Sequence, residues 1–257
     1  MDEIMKAVRY HHELVESKGY YVVMTSLVGS QNYGLAHEGS DIDTYSLILP
    51  DWKEFIHAED AKAGLIFADD GHCNFKDIRI ALNLLEKTSP NSVEYFASKY
   101  IVYNPAFASV LRSYLEDNDR LYSMIHCNYN HMLYAIAGMG QQLTKRNMPA
   151  GKRFSHSIRL RHLLYNFVNN RNINELLDLR LSVDRDVALQ AKLNTDPIMD
   201  VFYNKQCEFI SNELDQSKEN FKLSDEDEIM EREGKRLIDQ LRWQIGSIYI
   251  SEAKKWI

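Results

Sequence analysis

The sequence predicts an α+β fold in which a mixed sheet with flanking helices comes first and an all-helical domain follows. Two runs near the N-terminus, "YYVVMTSLV" (residues 20–28) and "DIDTYSLILP" (residues 41–50), are rich in β-branched, aromatic and apolar residues, the second stopped by Pro50. From about Pro105 onward, apolar residues recur at helical spacing almost throughout. Of the 257 residues, 45% are apolar and 26% charged, which is enough apolar material for a real core in one large domain or two modest ones.

Residues 3–18 are expected to form an amphipathic helix, with Ile4, Val8 and Val15 near helical spacing and Gly19 as its C-cap. Strand 20–28 follows, then a short helix or turn over residues 30–36, then strand 41–50. An irregular region is expected from there to about Gly71. "HCNFK" (72–76) reads as a third strand. Asp77 is placed to cap a helix, "IRIALNLLEK", with Ile78, Leu82 and Leu85 on one face. "SPNSVEYFAS" starts another helix. "PAFASVLRSYLEDN", "LYSMIHCNYNHMLYAIAGMGQQLTKRN", "GKRFSHSIRLRHLLYNFVNN" and "DPIMDVFYNKQCEFISNELDQ" all fit helices. The last helix begins at "SDED", where Ser224 and Asp227 have capping-box spacing, and runs along a seam of Met230, Leu237, Leu241, Ile245 and Ile248. The expected division is a sheet-bearing domain over residues 1–110 and a helical domain over residues 111–257. There is no internal repeat and no low-complexity linker.

A net charge of −7 argues against a protein that coats nucleic acid. Between Asp119 and Glu175, however, there is no acidic residue, while Arg120, Lys145, Arg146, Lys152, Arg153, Arg159, Arg161 and Arg171 give that interval a charge of +8. Such a segment is either a set of solvated helix faces or a surface that meets polyphosphate or a nucleic-acid end. No apolar run is long enough to span a membrane, and the N-terminus lacks the pattern of a secretory signal. Cys73, Cys127 and Cys207 are odd in number and widely spaced, which suggests free thiols in a reducing cytoplasm.

The chemistry concentrates in "VGSQNYGLAHEGSDID" (residues 28–43). Side chains i and i+2 of a strand share a face, so Asp41 and Asp43 would point the same way with Cα atoms roughly 6.5 Å apart. Two carboxylates so placed repel each other unless a cation lies between them or one takes a proton. Mg²⁺ favours carboxylates together with substrate phosphates, and a pair of such ions can hold both the attacking and leaving oxygens of an in-line displacement. Gly29 lets the backbone approach a phosphate closely, and Ser30 adds a hydroxyl where backbone N–H groups can bind anionic oxygens. Ser40 precedes the acidic pair, and Gly34 permits a tight reversal. D-x-D alone is usually a surface pair at a strand edge. The joint pattern G-S-x3-G-x5-S-D-x-D between two strands is far more specific.

That pattern resembles the signature of the DNA polymerase beta-like nucleotidyltransferase superfamily, and it is especially similar to small bacterial and phage predicted nucleotidyltransferases. "HCNFKDIRIALNLLEKTSPNSVEYFASKYIVYNP" and "GKRFSHSIRLRHLL" also resemble segments of that group. The resemblance implies that a hydroxyl attacks the α-phosphorus of a nucleoside triphosphate, ATP being the favoured donor, and that pyrophosphate leaves. It implies that residues 1–110 are the catalytic domain, that Gly29 and Ser30 hold the triphosphate tail, and that Asp41 and Asp43 ligate two Mg²⁺ ions. A third carboxylate is usual on a neighbouring strand, and the resemblance places it at Asn74. An amide offers a neutral oxygen there but accepts no proton. Asp77 either substitutes or only caps the following helix. His72 can serve as a base on the same strand face, or is simply a surface histidine.

In a helix beginning near Lys152, the residues Lys152, His156 and Arg159 fall on one stripe beside the packed face, suited to a cleft that binds triphosphate. His126, Cys127 and His131 lack a second half with zinc spacing. Tyr122, Tyr129, Tyr134 and Tyr165 can stack a base or pack between helices. The leading expectation is a cytoplasmic Mg²⁺-dependent nucleotidyltransferase whose acceptor is an RNA end, a protein hydroxyl or a small molecule. The alternatives are a catalytically weak nucleotide-binding regulator, motivated by Asn74, and a protein-adenylylating toxin–antitoxin component.

Overall fold

A computed structural model describes residues 3–50, 61–170, 172–182 and 184–253. Helix α1 (Glu3–Ser17) leads into β1 (Tyr21–Val28) through Gly19, whose φ of +86° suits glycine. Next come β2 (Ile42–Leu49), β3 (Ala63–Ala68) and β4 (Gly71–Asp77). Helices α2 (Ile78–Glu86) and α3 (Pro90–Phe96) then precede the short strand β5 (Ile101–Tyr103). The rest is helical: α4 (Pro105–Leu115), α5 (Asn118–Ile125), α6 (Tyr129–Lys145), α7 (Ala150–Asn169), α8 (Ile173–Leu176), a 3₁₀ turn over Leu179–Leu181, α9 (Asp184–Leu193), α10 (Ile198–Asn220) and α11 (Asp225–Ala253).

The five-stranded sheet has the order β3-β4-β2-β1-β5. Only β2 and β4 run parallel, and the other neighbours are antiparallel. Two strands depart from the sequence expectation. β3 lies where an irregular region was expected, and it forms as the outer arm of a hairpin closed at Asp69 and Asp70. Residues 51–60 of that expected irregular region lie outside the described residues. β5 was also not anticipated; its three residues pair with Met24, Thr25 and Ser26 of β1. The helix expected over "LYSMIHCNYNHMLYAIAGMGQQLTKRN" is broken at Cys127 and Asn128, where Asn128 accepts the His131 N–H at 3.0 Å and starts α6 afresh. At α11, the predicted capping box is present: the Asp227 N–H donates to Ser224 Oγ at 3.2 Å, and the Ser224 N–H to Asp227 Oδ2 at 2.9 Å.

One face of the sheet packs on α1 through Val15, Val22, Ile48, Cys73 and Phe75. That interface is also polar. His11 Nδ1 lies 2.8 Å from Thr44 Oγ1 and its Nε2 2.8 Å from Asp70 Oδ1, while His12 Nδ1 lies 3.0 Å from Thr25 Oγ1. Burying imidazoles is tolerable here because the sheet offers hydroxyl partners. The other face belongs to a single apolar cluster that runs from Val23 in β1 to Tyr249 in α11. Tyr249 also donates its hydroxyl to the Pro50 carbonyl at 2.7 Å, tying the last helix to the end of β2. Cys73, Cys127 and Cys207 are free and buried. No helix among the described residues is long and apolar enough to cross a membrane.

Burial, helped by Arg9, pushes the His12 pKa down from 6.5 to about 4. Between those values the unfolded chain binds a proton that the folded chain refuses, so stability is lost as pH falls through that window, by up to about 1.4 kcal/mol per pH unit. Urea midpoints at about pH 7.5 and about pH 5 should differ less in His12→Gln than in the parent. Equal differences would contradict this origin.

Candidate active site

The chain leaves β1 at Val28 and turns at once. Gly29 has a φ of +74°, and a Cβ on it would stand 2.9 Å from Asp43 Oδ2, so glycine is required twice over. The turn is internally bonded: the Asn32 and Tyr33 N–H groups donate to the Gly29 carbonyl at 3.1 and 3.3 Å, and the Leu35 N–H to the Ser30 carbonyl at 2.9 Å. The Gly29 amide, expected to face a phosphate, instead donates to Glu94 Oε1 at 2.6 Å. The amides of Ser30 and Gln31 make no hydrogen bond among the described residues. Gly34 reverses the chain at φ +71°.

Asp41 is exposed just before β2, and Asp43, half-buried, lies within it. Burial pushes the Asp43 pKa up; His72 opposes that rise and Asp41 adds to it. His72 Nδ1 stands 2.7 Å from the buried Asp43 Oδ1. Ser40 shapes the approach: its Oγ accepts the His37 N–H at 2.9 Å.

Facing the carboxylates is α7, which presents Lys152, Ser155, His156 and Arg159 to the same cavity. Arg159 lies 4.3 Å over the Tyr33 ring and feels the charge of Glu94, and its buried Nε has no partner among the described residues. Burial and the surrounding Arg159, Lys152 and Lys192 push the His156 pKa down to about 3, so its ring is neutral in a cationic wall. Lys192 of α9 completes that wall and donates to the Leu35 carbonyl at 3.1 Å. It is brought there by close helix packing, since a Cβ on Gly151 would run into the Ala191 carbonyl oxygen.

The cavity measures about 390 Å³, within the usual range for small ligands. Gly29, Ser30, Ser40, Asp41, Asp43, Lys152, His156 and Arg159, all named from the sequence, line it. Asn74 and Asp77 do not. Asp77 sits at the far end of β4, where it accepts the Arg79 N–H at 2.8 Å and pairs with the Arg79 guanidinium at 2.6 Å, so it caps α2. The register places His72 beside Asp43, while Asn74 pairs with Tyr45, one rung further along. Sequence reasoning missed Lys192, Tyr33 and Glu94. Tyr33 lies inside the glycine-serine motif, but nothing local marks Lys192.

Among the described residues, no group of three or more His, Cys, Asp or Glu side chains is arranged to hold a metal ion. What the cavity offers is the pair Asp41 and Asp43. That set fits an ion shared with substrate phosphates, as Mg²⁺ commonly is, rather than one caged by protein alone. A larger opening of about 970 Å³ lies among the C-terminal helices. There Arg161 pairs with Asp184 at 2.8 Å and Lys99 with Asp178 at 3.0 Å, so these cations are already matched.

Residues 4–242 match the sequence model of the RNA repair pathway DNA polymerase beta family. No curated protein matches the chain.

Lys192→Ala and Gly151→Ala should both weaken tripolyphosphate binding measured by calorimetry, the second by pushing α9 outward at a stability cost of about 1–3 kcal/mol. Unchanged affinity in both would show that Lys192 takes no part in binding phosphate.

Proposed function

The chain belongs to the RNA repair pathway DNA polymerase beta family, and from that premise we propose that it is a magnesium-dependent nucleotidyltransferase acting on the hydroxyl of an RNA end. The observation that carries this reading is the opposition, across one cavity, of Asp41 and Asp43 to Lys152, Lys192 and Arg159, with the Gly29–Ser30 turn between them.

A triphosphate laid in this cavity has its tail toward Ser30, Gln31 and the cationic wall. Lys152 and Lys192 neutralise the leaving pyrophosphate, and the neutral His156 adds hydrogen bonding without repelling its neighbours. Arg159, seated on Tyr33, gives the wall a fixed rather than a swinging charge. The chemistry that magnesium supplies when held by Asp41, Asp43 and phosphate oxygens is neutralisation at the α-phosphate and activation of the acceptor hydroxyl. The acceptor oxygen bonds to the α-phosphorus, the bond from that phosphorus to the β-phosphate bridging oxygen breaks, and the hydroxyl proton passes to water. ATP is the donor to test first.

Asp41→Asn and Asp43→Asn should each lower pyrophosphate release by roughly 10²–10³-fold while leaving the fold intact by circular dichroism. Full activity in both variants would refute the assignment.

One observation favours a second reading, a nucleotide-binding protein that turns over slowly: β4 sets a histidine, not a carboxylate, beside Asp43. Tight Mg²⁺-dependent binding of a nonhydrolysable triphosphate, with no pyrophosphate release from ATP, would support it. His72→Asp would then be expected to raise turnover.

A further inference from the structure

In-line displacement puts the attacking and leaving oxygens on opposite sides of the phosphorus. The cavity that suits the triphosphate lies entirely to one side of Asp43, toward β1, α7 and α9; none of its lining residues comes from β3 or β4. The attacking hydroxyl must therefore arrive from the other side, over β4 and β3.

Among the described residues, what the sheet presents there is a partly exposed face. Paired neighbours share a face, so the row from Asp43 continues to His72 and then to Phe67, and the next row runs from Tyr45 to Asn74 and Leu65. Phe67 is 80% exposed, the most exposed aromatic ring among the described residues, and Leu65 is 45% exposed. Phe67 stands two strand spacings, roughly 10 Å, from Asp43. Lys76, on the same face, holds its ammonium 5.7 Å from the Tyr45 ring centre and makes no ion pair among the described residues. An exposed aromatic ring and a cation with no ion pair among the described residues are the components with which proteins hold single-stranded nucleic acid.

Resting on the transferase reading above, we propose that this face is the acceptor site: the 3′-terminal nucleotides of a single-stranded RNA stack on Phe67, set a backbone phosphate against Lys76, and bring their terminal hydroxyl to Asp43. The side chain of Asn74 lies between the two anchors and is available to the sugar or base edge.

The test uses the full chain and a short fluorescent oligoribonucleotide with a free 3′-hydroxyl, with anisotropy read in the presence of Mg²⁺ and a nonhydrolysable triphosphate. Phe67→Ala and Lys76→Gln should each weaken oligonucleotide binding by roughly tenfold, Phe67→Trp should restore it, and triphosphate affinity by calorimetry should not change. Oligonucleotide affinity that is undetectable in the parent chain, or unaltered in both variants, overturns the proposal. So does label from the triphosphate entering a polypeptide of a cell extract while the RNA stays unlabelled. If the RNA binds through Phe67 but no triphosphate binds, the acceptor face stands and the transferase reading falls. If the triphosphate binds and transfers while these variants behave as the parent, only the acceptor face falls.

Discussion

A half-buried carboxylate held against a cationic wall is the interaction on which the rest of this molecule turns. Asp43 is pressed over a glycine that leaves no room for a side chain, is raised in pKa by burial, and has Asp41 close enough to raise it further. Such an arrangement costs free energy unless positive charge is close by. Lys152 supplies some of it, and Lys192 in turn feels both Asp43 and Asp41. His72 Nδ1 meets Asp43 Oδ1 at 2.7 Å, while the buried Arg159 Nε has no hydrogen-bond partner among the described residues. Carboxylates and cations lining one cleft are what a ligand bearing both phosphate oxygens and a divalent ion would complete.

Holding that opposition in place requires the sheet and the helices to act as one body. The helical region reaches back to the motif turn at three successive carbonyls: Leu179 N–H bonds Tyr33 at 3.2 Å, Arg185 bonds Gly34 at 3.0 Å, and Lys192 bonds Leu35. From below, Glu94 fixes the same turn through the Gly29 amide and, with Tyr33, steadies Arg159. The turn is thus held by several elements, and Lys192, which lines the cavity, is also one of the residues that shape it. Preorganisation of this kind avoids ordering the site when the ligand arrives.

How much of this was legible in the sequence follows from how local each feature is. The glycine-serine turn and the acidic pair lie within one strand-turn-strand unit, and helical periodicity alone puts Lys152, His156 and Arg159 on one stripe. Lys192 depends on the packing of α9 against Gly151, a contact between segments with no common pattern. The choice between Asn74 and His72 is a matter of register: both lie on the correct face, and only the β2–β4 pairing decides which stands by Asp43. β3, with sequence "AGLIFA", has little β-propensity of its own and is made by its hairpin partner. β5 is too short to leave a periodic signal. Asp77 showed the signs of a helix cap in the sequence, and a cap is what it forms.

The central claim is that Asp41 and Asp43 hold a divalent ion together with triphosphate oxygens and not alone. Titrating the protein with Mn²⁺ and following free Mn²⁺ by paramagnetic resonance, with and without a nonhydrolysable triphosphate, reads this directly. Tight Mn²⁺ binding should depend on the nucleotide beyond what the nucleotide binds by itself, and should vanish in Asp43→Asn. Ion binding that ignores the nucleotide, or survives that substitution unchanged, would contradict it.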